Sequence, residues 1–215
     1  MRIVAIPVKA LSKAKSRLAP ELTPLERGAL TLAMFEDVLD ATLPVAGWDT
    51  WVVSPDEAVL EIAARRGASA IPEERGPLAQ AIRQVEVLAK ERDVDALAVL
   101  PADLPLLTAE ALTAAIHTLG TVVLAPSADR TGTNLLLRRP PRAIQARFGP
   151  DSFNRHVALA AAKGLPASTV ERRELSFDVD HPGDILTLIA SGRSGRTADV
   201  CRDMDLGRRL RRHTG

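Results

Sequence analysis

Short apolar runs alternate along the chain with stretches in which apolar residues recur every three to four positions, the pattern of strands alternating with helices. The first run is Arg2-Ile3-Val4-Ala5-Ile6-Pro7-Val8, and it empties into a polar stretch from Lys9 to Leu18. Thr23-Pro24 with Glu26 three residues after the threonine spells a capping box with proline at the first helical position. Leu30, Ala33, Met34, Val38 and Leu39 then share one helical face, which ends near Pro44. Trp51-Val52-Val53 predicts a second strand, residues 56–66 a helix closed by Gly67, and residues 68–71 a short third strand. Trp48 and Trp51 fall where core residues are expected rather than a ligand platform. A helix over 78–90 leads into Leu97-Ala98-Val99-Leu100, which stops abruptly at Pro101-Ala102-Asp103-Leu104-Pro105. Thr108 caps a further helix that ends at Gly120, and strands follow over 121–125 and 135–137 with the polar loop 127–134 between them. Phe148-Gly149-Pro150-Asp151-Ser152-Phe153 opens a helix that includes His156 and runs to Lys163. Residues 168–175 predict a strand, 177–180 an acidic turn and 182–189 a last helix.

This alternation predicts an α/β fold: a single domain with a mostly parallel, mixed sheet, helices on both faces and right-handed crossovers. Residues 1–190 form that domain. From Ser191 the apolar positions thin out and the cluster Arg208-Arg209-Leu210-Arg211-Arg212 appears, so residues 191–215 are expected to be a basic, mobile tail. There is no internal repeat and no second domain.

Composition narrows the class. The 215 residues are 46% hydrophobic, enough for one core, and the net charge of +1 gives no global field that would draw nucleic acid or an acidic membrane. Without aromatic partners for base stacking, the basic tail is a poor nucleic-acid surface. Cys201 is the single cysteine, no run approaches the length of a membrane span, and the chain opens on a strand, so a cytoplasmic protein is expected.

Three constellations carry chemistry. Asp103 is a carboxylate delivered to the rim of the sheet by a buried strand. Phe177-Asp178-Val179-Asp180-His181-Pro182 offers two more at i and i+2, which face the same way in extended chain. Three converging carboxylates suit Mg²⁺, so Asp103, Asp178 and Asp180 are its expected ligands, beside a nucleoside triphosphate. Lys9, Lys13, Lys15 and Arg17, in the loop after the first strand, lie where open α/β sheets bind ligands and form a candidate triphosphate cradle. Gly149 permits close backbone approach, and Asp151 or Ser152 caps a helix start able to receive an anion.

Other chemistries fall away. His117, His156, His181 and His213 lack metal-ligand spacing, no nucleophile elbow or catalytic cysteine context is present, and no glycine occurs before Gly28, which removes a glycine-rich phosphate nest from the first loop. Metal-assisted phosphoryl or nucleotidyl transfer remains.

At this level of detail the chain resembles the 2-phospho-L-lactate / phosphoenolpyruvate guanylyltransferases of deazaflavin coenzyme biosynthesis. The resemblance rests on Ile6-Pro7-Val8-Lys9 with Lys13-Ala14-Lys15-Ser16-Arg17-Leu18, Pro101-Ala102-Asp103-Leu104-Pro105, Gly132-Thr133-Asn134, Phe148-Gly149 with Ser152-Phe153, and Asp178-Val179-Asp180-His181-Pro182. These five motifs occur in the family's order and cover nearly the whole chain. The resemblance implies a glycosyltransferase-A-like nucleotidyltransferase fold, GTP and Mg²⁺. It also implies metal at Asp103, Asp178 and Asp180, the three-carbon phospho-acid at Thr133, Gly149 and Ser152 with Asn134 alongside, and the triphosphate at Lys15, Ser16 and Arg17. Asp103, Lys15 and Arg17 are then the catalytic residues. Where the family pattern has Leu-Asn beside the nucleotide, this chain has Leu78-Ala79. Phosphoenolpyruvate, 2-phospholactate and a phosphoglycerate fit the sequence equally, and a homodimer stays open. The competing readings are a nucleotidyltransferase for a sugar phosphate or molybdopterin, whose relatives open with a glycine-rich loop, and a catalytically silent nucleotide-binding module.

Overall fold

The computed structural model describes residues 1–73 and 76–211. Among them, seven strands form one sheet: β1 (Arg2–Pro7), β2 (Asp49–Ser54), β3 (Ser69–Pro72), β4 (Ala96–Val99), β5 (Val122–Pro126), β6 (Thr133–Arg138) and β7 (Ala167–Thr169), in the order β3-β2-β1-β4-β6-β5-β7. Only β6 runs against its neighbours; the other pairings are parallel. The mixed sheet matches the expectation, although nothing in Leu135-Leu136-Leu137 announces the reversal.

Alternation along the strands sorts their side chains between two helical layers. Val4 and Ile6 of β1, Val52 and Ala98 pack against α1 (Pro24–Thr42), α2 (Glu57–Arg65) and α4 (Ala109–Ile116) through Phe35, Val38, Val59 and Leu112. Ile3, Ala5, Trp51, Leu97 and Val99 point the other way, onto Ala81, Ile82 and Val85 of α3 (Leu78–Glu91). Trp48 and Trp51 are both core residues, with the guanidinium groups of Arg2 and Arg92 over their rings at 5.7 and 5.1 Å. The capping box at Thr23 forms as expected: the Thr23 hydroxyl accepts from the Glu26 N–H at 3.3 Å and the Glu26 carboxylate accepts from the Thr23 N–H at 2.8 Å. No helix among the described residues is long and apolar enough to cross a membrane.

Two expectations need correction. The strand expected over 168–175 is only β7, after which the chain leaves the sheet and makes the short helix α6 (Arg173–Ser176). β7 is an edge strand paired only with β5, and the helical turn buries Leu175 against the core instead of extending the ladder. The mobile tail expected from residue 191 is instead structured as far as it is described. After α5 (Ser152–Ala162) and α7 (Pro182–Ala190), the chain forms α8 (Arg196–Asp203) and α9 (Leu206–Arg211). Cys201, Leu206 and Leu210 are buried against Leu30 and Met34 of α1 and Ile185 and Leu188 of α7. The Asp37 carboxylate accepts from the first N–H groups of α8, Arg196 at 2.8 Å and Thr197 at 2.9 Å. Apolar residues on the right faces, Val200 and Met204 packing beside these three, dock the charged helices together with polar anchors, a tertiary effect that composition hides. The last residue of the basic cluster, Arg212, lies outside the described residues.

Candidate active site

The parallel strands β1 and β4 end side by side, and the loops that follow them meet at the carboxyl edge of the sheet. After β1 the chain makes two 3-10 turns, Leu11–Lys13 and Ser16–Leu18. Leu11 N–H donates to Asp56 at 3.2 Å, Arg27 donates to the Ala14 carbonyl at 3.3 Å, and Leu18 is buried in the cluster formed by α1, α7, α8 and α9. Between the two turns Lys15 takes a left-handed backbone conformation, φ 50°, uncommon for a residue with a side chain, and its carbonyl accepts from the Leu18 N–H at 2.9 Å to open the second turn.

The acidic turn is drawn to the same edge. Val179 is fully buried, and its N–H donates to the Asp103 carbonyl at 3.2 Å. The loop after β4 and the 177–180 segment are therefore joined by a backbone hydrogen bond. Lys15 Nζ bridges the two, at 2.6 Å from Asp103 Oδ2 and 3.0 Å from Asp180 Oδ1, while Arg17 Nη1 is 2.9 Å from Asp180 Oδ2. Asp178 turns aside to accept from Asn134 Nδ2 at 3.2 Å. Asp180 is held from behind, where the Asp184 carboxylate accepts from the N–H groups of Asp180 and His181 at 2.9 and 2.7 Å.

The electrostatics follow from this arrangement. Burial alone would lower the Lys15 pKa, but Asp103 and Asp180 outweigh it and the net shift is upward. For Asp180 burial acts upward, and Lys15 and Arg17 outweigh it, so its carboxyl ends below the usual range. Asp178 has no such cation: burial first, then the charge of Asp103, push it up to about 6, against the Asn134 hydrogen bond.

Lys9, Lys13, Lys15, Ser16 and Arg17 line one cavity of about 400 Å³ together with Asp103 and Asp180. Its remaining wall includes Leu78, Ile82 and Phe148, which composition and spacing did not single out as site residues. Thr133, Asn134, Gly149 and Ser152 do not line it. Asn134 is linked to the acidic turn through Asp178. Thr133, Asn134 and Ser152 are buried. The buried His156 joins Thr133 to Arg147: its Nε2 accepts from the Arg147 N–H at 2.8 Å, which leaves Nδ1 as the protonated nitrogen, 3.0 Å from the Thr133 hydroxyl. Burial, with Arg138 and Arg155, pulls the His156 pKa down to about 4, so the ring stays neutral and the tautomer fixed. Gly149 sits at φ 111°, where a side chain would be strained. The cap expected at Asp151 or Ser152 is absent as a side-chain hydrogen bond; Asp151 occupies the N-cap position but its carboxylate accepts from Asn154 instead, at 2.6 Å.

As placed, no three acidic, histidine or cysteine side chains among the described residues stand at metal-holding spacing, and the cation between Asp103 and Asp180 is Lys15. The donor set nevertheless fits a hard divalent ion. It consists of carboxylate oxygens, and one of them, on Asp178, is held at an acidic edge without a basic partner among the described residues.

A family model described as "Guanylyl transferase CofC like" matches residues 1–213. A phosphoenolpyruvate guanylyltransferase of Sphaerobacter thermophilus is 41% identical over 201 residues, 92% of this chain and 97% of that relative. A 3-phospho-D-glycerate guanylyltransferase of Phenylobacterium zucineum is 38% identical, covering 89% of this chain and 91% of the relative. A 2-phospho-L-lactate guanylyltransferase of Methanothermobacter thermautotrophicus is 35% identical over 93% of this chain and 89% of its own length. Among solved structures, a chain from Desulfovibrio desulfuricans G20 assigned as a nucleotide-diphospho-sugar transferase superposes with a TM-score of 0.77 at 18% identity, over 99% of both chains. That likeness shows that the two chains share a fold.

Proposed function

The chain belongs to the CofC-like guanylyl transferase family, and from that premise we propose that it transfers GMP from GTP to the phosphate of a three-carbon phospho-acid, releasing pyrophosphate, in the cytoplasmic synthesis of a deazaflavin coenzyme. The observation that carries this reading is the junction of Lys15 with Asp103 and Asp180 inside a cavity rimmed by Lys9, Lys13, Ser16 and Arg17. A cation already bridging two carboxylates beside further cations suits a polyanion that arrives with its own counter-ion.

The chemistry asks little of a general base. A phosphate monoester oxygen is anionic near neutral pH, so it attacks the α-phosphorus of GTP directly. A new bond forms between that oxygen and the α-phosphorus, the bond from the α-phosphorus to the bridging oxygen breaks, and pyrophosphate leaves with the electron pair. Positioning and charge neutralisation carry the rate. Lys15 and Arg17 offset charge on the departing pyrophosphate. Thr133, whose hydroxyl accepts from His156 and so keeps its own proton to donate, orients the phospho-acid together with Gly149 and Ser152. Asp103, Asp178 and Asp180 would hold Mg²⁺, which when bound screens the repulsion between the two anionic substrates.

The names of the relatives favour phosphoenolpyruvate, 2-phospho-L-lactate and 3-phospho-D-glycerate as acceptors to try. The test is pyrophosphate release with Mg²⁺, GTP and each of the three acids, run beside Asp103→Asn. Release is expected from GTP with at least one acid, and it is expected to collapse in Asp103→Asn at an unchanged melting temperature. GTP binding with no pyrophosphate from any acid would favour the silent module. Normal release by the variant would remove Asp103 from the mechanism.

A further inference from the structure

We propose that Lys15 keeps the metal seat closed until a nucleotide arrives: its ammonium is the resident cation of Asp103 and Asp180, and a triphosphate draws it off so that a divalent ion can take its place. The inference rests on the GTP and Mg²⁺ reading above and extends it to how the binding of the two is coupled.

The two carboxylates are engaged from one loop. Lys15 Nζ lies 2.6 Å from Asp103 Oδ2 and 3.0 Å from Asp180 Oδ1, and the other oxygen of Asp180 accepts from Arg17 at 2.9 Å. Both oxygens of Asp180 therefore already face a cation. Mg²⁺ binds carboxylate oxygens at about 2.1 Å, so an ion on the oxygens that Lys15 holds would stand within about 5 Å of the ammonium, where two cations repel. Of the three acids, Asp178 alone meets an amide, Asn134, rather than a cation. One carboxylate is a poor seat for an ion that gives up its water reluctantly.

The ammonium has somewhere to go. The Lys15 side chain is 7% exposed, and it stands on the wall of the cavity that Lys9, Lys13 and Ser16 also line. Its backbone can stay where it is: the Ala14 carbonyl accepts from Arg27 at 3.3 Å, and the Lys15 carbonyl accepts from the Leu18 N–H at 2.9 Å. Rotation of the four-carbon stem is then enough to carry a compact ammonium from carboxylate to phosphate. Once a triphosphate holds it, Asp103 and Asp180 are left with negative charge that a divalent ion neutralises. The coupling runs both ways, so a metal that frees Lys15 from the acids also tightens the triphosphate.

Two titrations test this in the wild type, Lys15→Met and Lys13→Met: Mn²⁺ without nucleotide, read by its paramagnetic resonance signal, and GTP in the presence of a chelator, read by calorimetry. Lys13 lines the same cavity, but the ion pairs to Asp103 and Asp180 come from Lys15 and Arg17. Lys15→Met is expected to bind Mn²⁺ at least about tenfold more tightly than the wild type, the factor imposed by a seat closed about nine-tenths of the time. It is expected to bind metal-free GTP at least about tenfold more weakly. Lys13→Met should move either affinity by less than about threefold, the effect of one more distant charge. Damage to the fold would weaken both ligands together, so the opposite signs separate exchange from unfolding. Mn²⁺ affinity unchanged in Lys15→Met overturns the proposal, and so does an equal gain in Lys13→Met, which would put the effect in the general field of the loop. Tighter Mn²⁺ beside unchanged GTP would make Lys15 a fixed plug and overturn the exchange. If both shifts appear but the wild type releases no pyrophosphate with any of the three acids, the proposed reaction falls and the exchange stands.

Discussion

Among the described residues, two cations withdrawn from water, Lys15 and Arg138, lead opposite lives. The Lys15 side chain is 7% exposed and that of Arg138 is 0% exposed, and each is paired with carboxylate. Lys15 stands on a loop at the carboxyl edge of the sheet, enclosed by two acids, and forms part of a cavity wall. Arg138 closes the far end of β6, opposite the first residue of β5, and binds Glu86 of α3 and the Ile144 carbonyl at 3.1 Å, with its Nε and Nη2 unmatched. Burial lowers the pKa of Arg138, and Glu86 only partly opposes it, whereas the two acids around Lys15 more than reverse the same effect. Burial of a charge thus does not mark a site. What distinguishes Lys15 is a surplus of opposing charge and an open side, so that it can exchange a carboxylate for a phosphate, while Arg138 is sealed between sheet and helix.

The comparison breaks most clearly at Arg138. Arg138→Met leaves the Glu86 carboxylate without its cation at a largely buried position and is expected to destabilise the fold by about 3 kcal/mol, while turnover per folded molecule stays normal. Denaturant titration measures the loss. Adding Glu86→Leu should bring stability back to within about 1 kcal/mol of the wild type, because a packed apolar pair can replace a buried ion pair. A single variant as stable as the wild type would mean that Arg138 does not depend on its pair. Lys15→Met inverts the pattern. Its kcat for pyrophosphate release should fall roughly 100- to 1000-fold, the scale seen when one preorganised electrostatic group is removed, with the melting temperature within a few degrees of the wild type. If the loss appeared as unfolding with turnover preserved, Lys15 would belong with Arg138 as a structural cation.

Much of the Lys15 side of this contrast was legible in the sequence. A strand that ends on a carboxylate between prolines has to present Asp103 at the rim, and a basic loop after the first strand has to lie at the same edge. The acidic turn was recognisable from the spacing of Asp178 and Asp180, but their separate tasks were not. Asp178 meets Asn134 and Asp180 meets Lys15, partners brought in by distant parts of the chain that the local spacing does not show. The Arg138 side was invisible: Arg138-Arg139 reads as a polar end to a strand, and only the antiparallel turn of β6 carries it under α3. The same limit explains α8 and α9, whose docking depends on a hydrophobic cluster assembled from α1, the acidic turn and α7. His156 shows it again, since its spacing suggests no ligand role and its meaning comes from Thr133 and Arg147.

A third cation, nearer to solvent, sets the lower end of the scale. Arg209 of α9 donates to the Glu26 carboxylate, which also accepts from the Thr23 N–H in the capping box of α1. Arg209 first, then Thr23, hold the Glu26 carboxyl down at about 2 against an ordinary value of 4.5. A depressed carboxyl stabilises the folded state above its unfolded pKa and loses that contribution as the pH falls through the folded one. The window is therefore from about 4.5 to about 2. Because Arg209 stays charged throughout, the whole dependence belongs to the carboxyl. The protection of α9 amides, measured against their intrinsic exchange at each pH, is expected to fall as the pH drops through this window, with only a small drop in global melting temperature attributable to the pair, since a partly exposed ion pair is screened by solvent. Glu26→Gln should quicken α9 exchange at neutral pH and flatten its response to acid. If the acid response of α9 persists unchanged in that variant, another carboxylate near Arg209, Asp205 or Glu21, carries it, and the grading from Arg138 through Lys15 to Arg209 does not extend to the Glu26 pair.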